Sequence, residues 1–353
     1  MALLFTPRRA AVARAHFAFS IAGRVRRGPA AWRWAALGCA VVLTAVAGPR
    51  TVLSCAGDAD HWTATGWTGE ETARFGGAPE VREAGRPLLM LRYSYYVSNY
   101  DLERRYPVWV AHVDRADSTL KLRGRTKGAW GRADDEFLPD EQVVERAQRK
   151  QWPYVTTLSF TNANPPELPV GARGASKLTR GHLASNAEMK SLGGPEEGLR
   201  SQAESFSLAN VVPQMQRHNA PIWAKLEDNC IQWAARLDGV SVISGPVYRL
   251  DPAAAAPGNQ LLYTQGADKV GVLIPTHLFK IVIGRIDGRL AAIGFLVPHR
   301  ADLTMADLAG CVVPIRRIEE MTGINFMPRF GSNDALELKA DLRWLDLLKA
   351  AGS

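Results

Sequence analysis

The sequence predicts a mixed α+β domain of roughly 260 residues, an antiparallel sheet with helices packed on it. Three observations carry that prediction. Beyond Gly239, short apolar and β-branched runs recur, two of them joined by Asp287-Gly288, a strong hairpin signal. Just before them, Asn219, Trp223 and Glu227 fall at i, i+4 and i+8, with Trp223 and Leu226 forming the apolar stripe of one helix. No internal repeat is visible, which excludes solenoids and propellers.

Taken in order, the chain opens on a segment unlike a domain. Met1 to Arg50 holds eight arginines (Arg8, Arg9, Arg14, Arg24, Arg26, Arg27, Arg33 and Arg50), and the first acidic residue is Asp58. Inside it lies an apolar run of fourteen residues, Trp34 to Ala47, ending in the small-residue site Ala45-Val46-Ala47. That run is short for a membrane span of about 20 residues but suits a signal-peptide core. The expectation is therefore an exported protein, periplasmic or extracellular, its leader either cleaved or kept as an N-terminal membrane anchor. A mitochondrial presequence, also Arg-rich and poor in acids, remains the alternative.

The leader also explains the charge. The chain carries 43 Lys and Arg against 35 Asp and Glu, a net +8. The eight leader arginines account for all of it, so the basic balance reports targeting and is no argument for nucleic-acid binding. Any phosphate-binding surface must be local. Cysteines are sparse: Cys39 and Cys55 precede the body, which holds Cys230 and Cys311, and these two could pair in an oxidising compartment. No Cys-x-x-Cys spacing suggests zinc.

Residues 51–86, rich in Gly, Thr, Ala and Glu, read as a linker, and 87–350 as the domain. Leu88 to Tyr93 and Val108 to Val113 read as strands. Lys121 to Asp140 is a polar loop, and Pro165, Pro166 and Pro169 with Gly171 and Gly174 mark another. After the central helix, strands are expected at Val240–Ile243, Gln260–Thr264, Gly271–Ile274, Phe279–Ile283 and Leu290–Val297. Short helices are expected at Met305–Leu308 and Ile315–Thr322, and a docked C-terminal helix within Ala335–Ala350.

The stretch from Leu178 to Asp228 concentrates the chemistry. It contains Thr179-Arg180-Gly181-His182-Leu183-Ala184, then Asn210-x-x-Pro213-Gln214, then Asn219-x-x-x-Trp223-x-x-Leu226-Glu227. Cleaving a phosphodiester needs a base near neutral pH, for which imidazole with an ordinary pKa of about 6.5 is suited. It also needs positive charge for the transition-state oxygens, which a hydrated divalent cation provides. His182 offers the base, Asn219 an oxygen ligand, and Glu227 a carboxylate two helical turns on. Each residue has a plainer alternative: Asn219 ahead of Pro221 makes a good N-cap, Trp223 is core, and Arg180 and Glu227 form a solvated ion pair.

In combination, the three blocks resemble the DNA/RNA non-specific endonuclease family, the endonuclease G-like, ββα-metal nucleases. Val242-Ile243-Ser244-Gly245-Pro246-Val247-Tyr248, Ile274-Pro275-Thr276-His277-Leu278-Phe279-Lys280 and Ile318 to Phe326 extend the likeness, which covers about Leu91 to Pro328. The resemblance implies a ββα-metal fold, a central antiparallel sheet flanked by helices. It implies one Mg2+, with Mn2+ as a substitute, held by Asn219 with water in the remaining positions. His182 would be the general base, Glu227 would hold the ion's water, Arg180 would be the arginine of the motif, and Asn210 and Gln214 would shape the site. DNA and RNA are the implied partners, in a family that is often dimeric.

Two positions depart from the family pattern. Thr179 stands where most members have Asp, and Ile231 stands where some secreted relatives have an arginine. Arg132 is the candidate replacement cation. These departures motivate two rival readings: a nucleic-acid-binding protein of this fold with impaired catalysis, and a phosphodiesterase acting on a smaller substrate.

Overall fold

A computed structural model of the chain describes residues 62–116, 137–151, 153–155, 178–190, 192, 195–248, 260–263, 271–330, 336 and 339–349. The leader 1–50 and Arg132 lie outside the described residues. In chain order the elements are helix α1 (Gly69–Arg74), strands β1 (Glu80–Val81), β2 (Leu88–Arg92), β3 (Tyr96–Asp101) and β4 (Tyr106–Asp114), and helix α2 (Glu141–Arg149). Strand β5 (Leu178–His182), helices α3 (Asn186–Met189) and α4 (Pro195–Ser205), strand β6 (Val211–Met215) and helix α5 (Ala224–Leu237) form the middle. Strands β7 (Val240–Val247), β8 (Gln260–Tyr263), β9 (Gly271–Ile274), β10 (His277–Ile286), β11 (Arg289–Pro298) and β12 (Val312–Val313) follow, then α6 (Ile315–Thr322), β13 (Ile324–Asn325) and α7 (Arg343–Lys349).

Seven strands form one sheet in the order β12-β11-β10-β7-β4-β3-β2, antiparallel at every step. The expected hairpin joins β10 to β11, with Asp287 and Gly288 both at positive φ (52° and 73°), the requirement of a type I′ turn. Strands β4 and β7 are buried at every position, because both faces of the sheet are covered. On one face, Val110, Val242, Val282 and Phe295 meet Trp223, Leu226, Cys230 and Trp233 of the α5 region. On the other, Trp109, Ile243 and Ile281 meet Trp62, Phe75 and the α6 residues Ile315 and Ile318. Burying each such side chain stabilises by about 1.5–3 kcal/mol, so these layers dominate the fold energetically.

The stretch read as a linker is packed from Trp62 onward, which corrects that part of the sequence reading. Trp62 and Phe75 lie edge to face in the second core, Arg115 grips Glu71 of α1 through two short hydrogen bonds, and β1 pairs with β13. The aromatic residues that anchor this segment lack regular spacing, so periodicity does not reveal them. Cys230 and Cys311 are both buried free thiols, so the pairing contemplated above does not form. The C-terminal helix docks as expected: Trp233 of α5 donates its indole N–H to the Trp344 carbonyl at 2.8 Å. Among the described residues no helix is long and apolar enough to cross a membrane.

Candidate active site

The site is carried by a strand–strand–helix unit. Strands β5 and β6 pair antiparallel, with Thr179 opposite Gln214 and His182 opposite Val211. A single helical turn, Gln216–His218, then leads through a π-helical turn, Asn219–Trp223, into α5. Alternation along β5 sets Arg180 and His182 on the same side and turns Thr179 and Gly181 to the other. Arg180 is exposed and His182 half-buried. Phe137 joins them: the Arg180 guanidinium lies 4.4 Å from its ring centroid, and the His182 ring 5.1 Å. Phe206 closes the cradle edge to face, at 5.2 Å from the imidazole. The sequence reading did not select Phe137 or Phe206 for the site; their place beside His182 is a tertiary contact.

The other side of β5 explains the glycine. A Cβ on Gly181 would sit 1.8 Å from Gln214 Oε1 and 2.6 Å from Gln214 Cβ. Gln214 is fully buried, its amide nitrogen donating to His218 Nδ1 at 2.7 Å, and so cannot swing aside freely. Gly181→Ala is expected to lower the melting temperature and to cost about 1–3 kcal/mol, as overpacking does. A thermal melt matching wild type would show that Gln214 does not hold this position.

The remaining amides and Thr179 do structural work around His182. Asn210 is buried and fully bonded: its Oδ1 accepts from the Ala184 amide at 2.9 Å, and its Nδ2 donates to the carbonyls of Ala184 and Ser205 at 2.9 and 2.8 Å. It thereby fixes the turn that follows His182. Thr179 donates its hydroxyl to the Gln214 carbonyl at 3.0 Å, tying β5 to β6. His299 braces the end of β6, its Nε2 accepting from Met215 N–H at 2.7 Å and its Nδ1–H donating to the Pro275 carbonyl at 2.9 Å. Burial pushes His299 down to about 4, so it stays neutral and keeps this tautomer.

Asn219 is half-buried, and helical in φ and ψ (−63°, −46°). The helical turn before it starts after Met215 without a side-chain cap, so the N-cap alternative for Asn219 fails. Its amide makes no hydrogen bond with the described residues. In an ideal α-helix two i+4 steps leave Glu227 about 80° around the axis from Asn219. The π turn takes more residues per revolution and cancels much of that offset. Trp223 connects this unit to β5, donating its indole N–H to the His182 carbonyl at 3.3 Å.

Glu227 is half-buried. Burial, then the charge of Glu188, pushes its carboxyl above the ordinary carboxylate range, with Lys280 and a hydrogen bond from Trp223 opposing. A carboxyl so placed has too little positive charge around it in the protein alone. The Asn219 amide oxygen and the Glu227 carboxylate are hard oxygen donors, the type that Mg2+ takes.

Beneath the unit lies a second group of ionisable residues, fully buried: His112 and Asp114 of β4, Glu188 of α3 and Lys280 of β10. His112 Nε2 is 3.4 Å from Glu188 Oε2 and 3.9 Å from Asp114 Oδ1, and Lys280 Nζ is 3.8 Å from Glu188 Oε1. The donor atoms of His112, Asp114 and Glu188 lie within 4.8 Å of one another, a spacing a metal could bridge. The cluster already holds its own cation, however. Burial works to raise Glu188, and Lys280 and His112 overcome it, holding the carboxyl below its ordinary range. Burial, then the Glu188 charge, pushes the Asp114 carboxyl well above its ordinary range, which favours its neutral form beside Glu188. In sequence, the signal was one lysine inside the apolar run Leu278-Phe279-Lys280-Ile281-Val282.

Residues 81–331 match the family model described as DNA/RNA non-specific endonuclease. The chain is similar to the mitochondrial nuclease EXOG of Danio rerio, 30% identical over 239 residues, which are 67% of this chain and 60% of that protein. It thus spans about three-fifths of that relative's length. It is also similar to the mitochondrial endonuclease G of Homo sapiens, 28% identical over 236 residues, 66% of this chain and 67% of that protein. Among solved structures, one of an EndoG/EndoGI complex aligns with a TM-score of 0.48 at 23% identity, covering 70% of this chain and 88% of that one.

Proposed function

The chain belongs to the DNA/RNA non-specific endonuclease family, and from that membership and the β5–β6–α5 geometry we propose that it is a Mg2+-dependent, sugar-non-specific endonuclease hydrolysing phosphodiester bonds of DNA and RNA. The observation that carries the reading is the Trp223 hydrogen bond, which ties the strand bearing His182 to the helical turn bearing Asn219 while both residues remain partly exposed.

His182 takes the proton from the attacking water, its ring held between Phe137 and Phe206 and its backbone by Trp223. Arg180, exposed on the same side of β5, presents its guanidinium to a phosphate oxygen. Asn219 would hold Mg2+, or Mn2+ in its place, with Glu227 orienting water around it; when bound, the ion neutralises charge on the phosphate and the departing oxygen. Contacts to phosphate leave base edges unread, so cleavage is indifferent to sequence and weakens with salt. The relatives' names favour the mitochondrial reading of the Arg-rich leader over the export reading.

Supercoiled plasmid and a long RNA, each incubated with the protein and Mg2+ against a chelator control, test the reading. Nicking of both that the chelator abolishes is the expected result. Binding without nicking would establish the impaired-catalysis reading, which Thr179 favours because its hydroxyl is engaged by Gln214 and no acid stands there. Turnover of a small diester alone would establish the third.

A further inference from the structure

Lys280 sits at the middle of β10 on the sheet face beneath α5, fully buried. A buried ammonium carries a desolvation penalty of several kcal/mol, and a methionine or leucine would usually pack there at least as well. Its neighbours show what it does. Its Nζ is 3.8 Å from Glu188 Oε1 and 5.0 Å from the centroid of the Trp223 ring. Both neighbours lead to His182 by short paths. The Trp223 indole N–H donates to the His182 carbonyl. Glu188 closes the capping box of α3, accepting from the Ser185 amide at 3.0 Å while its own amide donates to Ser185 Oγ at 3.1 Å. Ser185 lies three residues after His182.

We propose that Lys280 is a positioning residue for His182: its buried ammonium clamps the segment carrying the base to the central sheet from two sides, through Glu188 and the turn after the base, and through the face of Trp223. The inference rests on the nuclease reading for its rate measurement. Its structural content concerns only where the imidazole is held. His112, 3.4 Å from Glu188, and Asp114, whose carboxyl burial pushes well above its ordinary range, complete the cluster. A misplacement of the base by about 1 Å costs on the order of a hundredfold in rate, so small losses of this clamp are measurable.

The deciding variant combines Lys280→Met with Glu188→Gln, which removes both charges together and strands neither, while glutamine still serves the capping box. It is measured by thermal melt, by kcat and KM on a duplex oligonucleotide with Mg2+, and by the NMR position of the His182 imidazole without metal. A cooperative melt, a KM within about twofold of wild type, a kcat lowered about ten- to a hundredfold and a shifted His182 resonance are expected. A folded double variant with wild-type kcat and an unmoved resonance overturns the proposal. Should it not fold, Trp223→Phe and Glu188→Gln decide, since each keeps Lys280 and cuts one link to His182; wild-type kcat in both overturns it. If the wild-type protein itself fails to nick, the nuclease reading has failed, and the resonance alone then judges the clamp.

Discussion

His182→Ala is expected to lower kcat for plasmid nicking by about 10²- to 10⁴-fold, the range that a general base contributes. The protein should stay folded, because the imidazole is half-buried and its ring contacts with Phe137 and Phe206 are worth about 0.5–1.5 kcal/mol each. The melt and the rate therefore separate cleanly: a wild-type melting temperature with lost turnover assigns the base. Wild-type turnover in the folded variant would place the base elsewhere.

Asn219→Ala is expected to be nearly as severe. The charge stabilisation it anchors is worth several kcal/mol, which corresponds to a loss on the order of 10²–10³ in kcat/KM at fixed Mg2+. Part of that loss should return as Mg2+ is raised, because the variant would weaken the site without blocking it. Stability should be unchanged, since Asn219 caps no helix. Mn2+ titration followed by electron paramagnetic resonance gives a readout independent of turnover. Equal affinity in wild type and variant would exclude Asn219 as the ligand.

The candidate pair His182 and Asn219 could be picked out in the sequence because the blocks that carry it lie in one short stretch. His182 and Asn219 lie 37 positions apart, on two paired strands and the helix that directly follows them, so spacing constrains geometry. The β10–β11 hairpin and α6 were legible for the same reason, each being specified by turn residues or periodicity within one short window. The part played by Gly181 was not legible. A glycine in a strand implies a close approach, but only the structure places Gly181 in a strand and sets Gln214 beside it.

By itself the sequence determined the class of fold, the β10–β11 hairpin and the helix that follows Asn219, because each depends on interactions between near neighbours. Only the tertiary structure decided that both faces of the sheet are covered, that residues 62–86 belong to the core, and that Lys280 meets Glu188 beneath Trp223. Alternation along a strand shows which side chains share a face but is silent on what covers that face. A lysine at such a position reads as solvated until the helix above it is in place, and burial then turns it from a surface charge into a partner that must be neutralised.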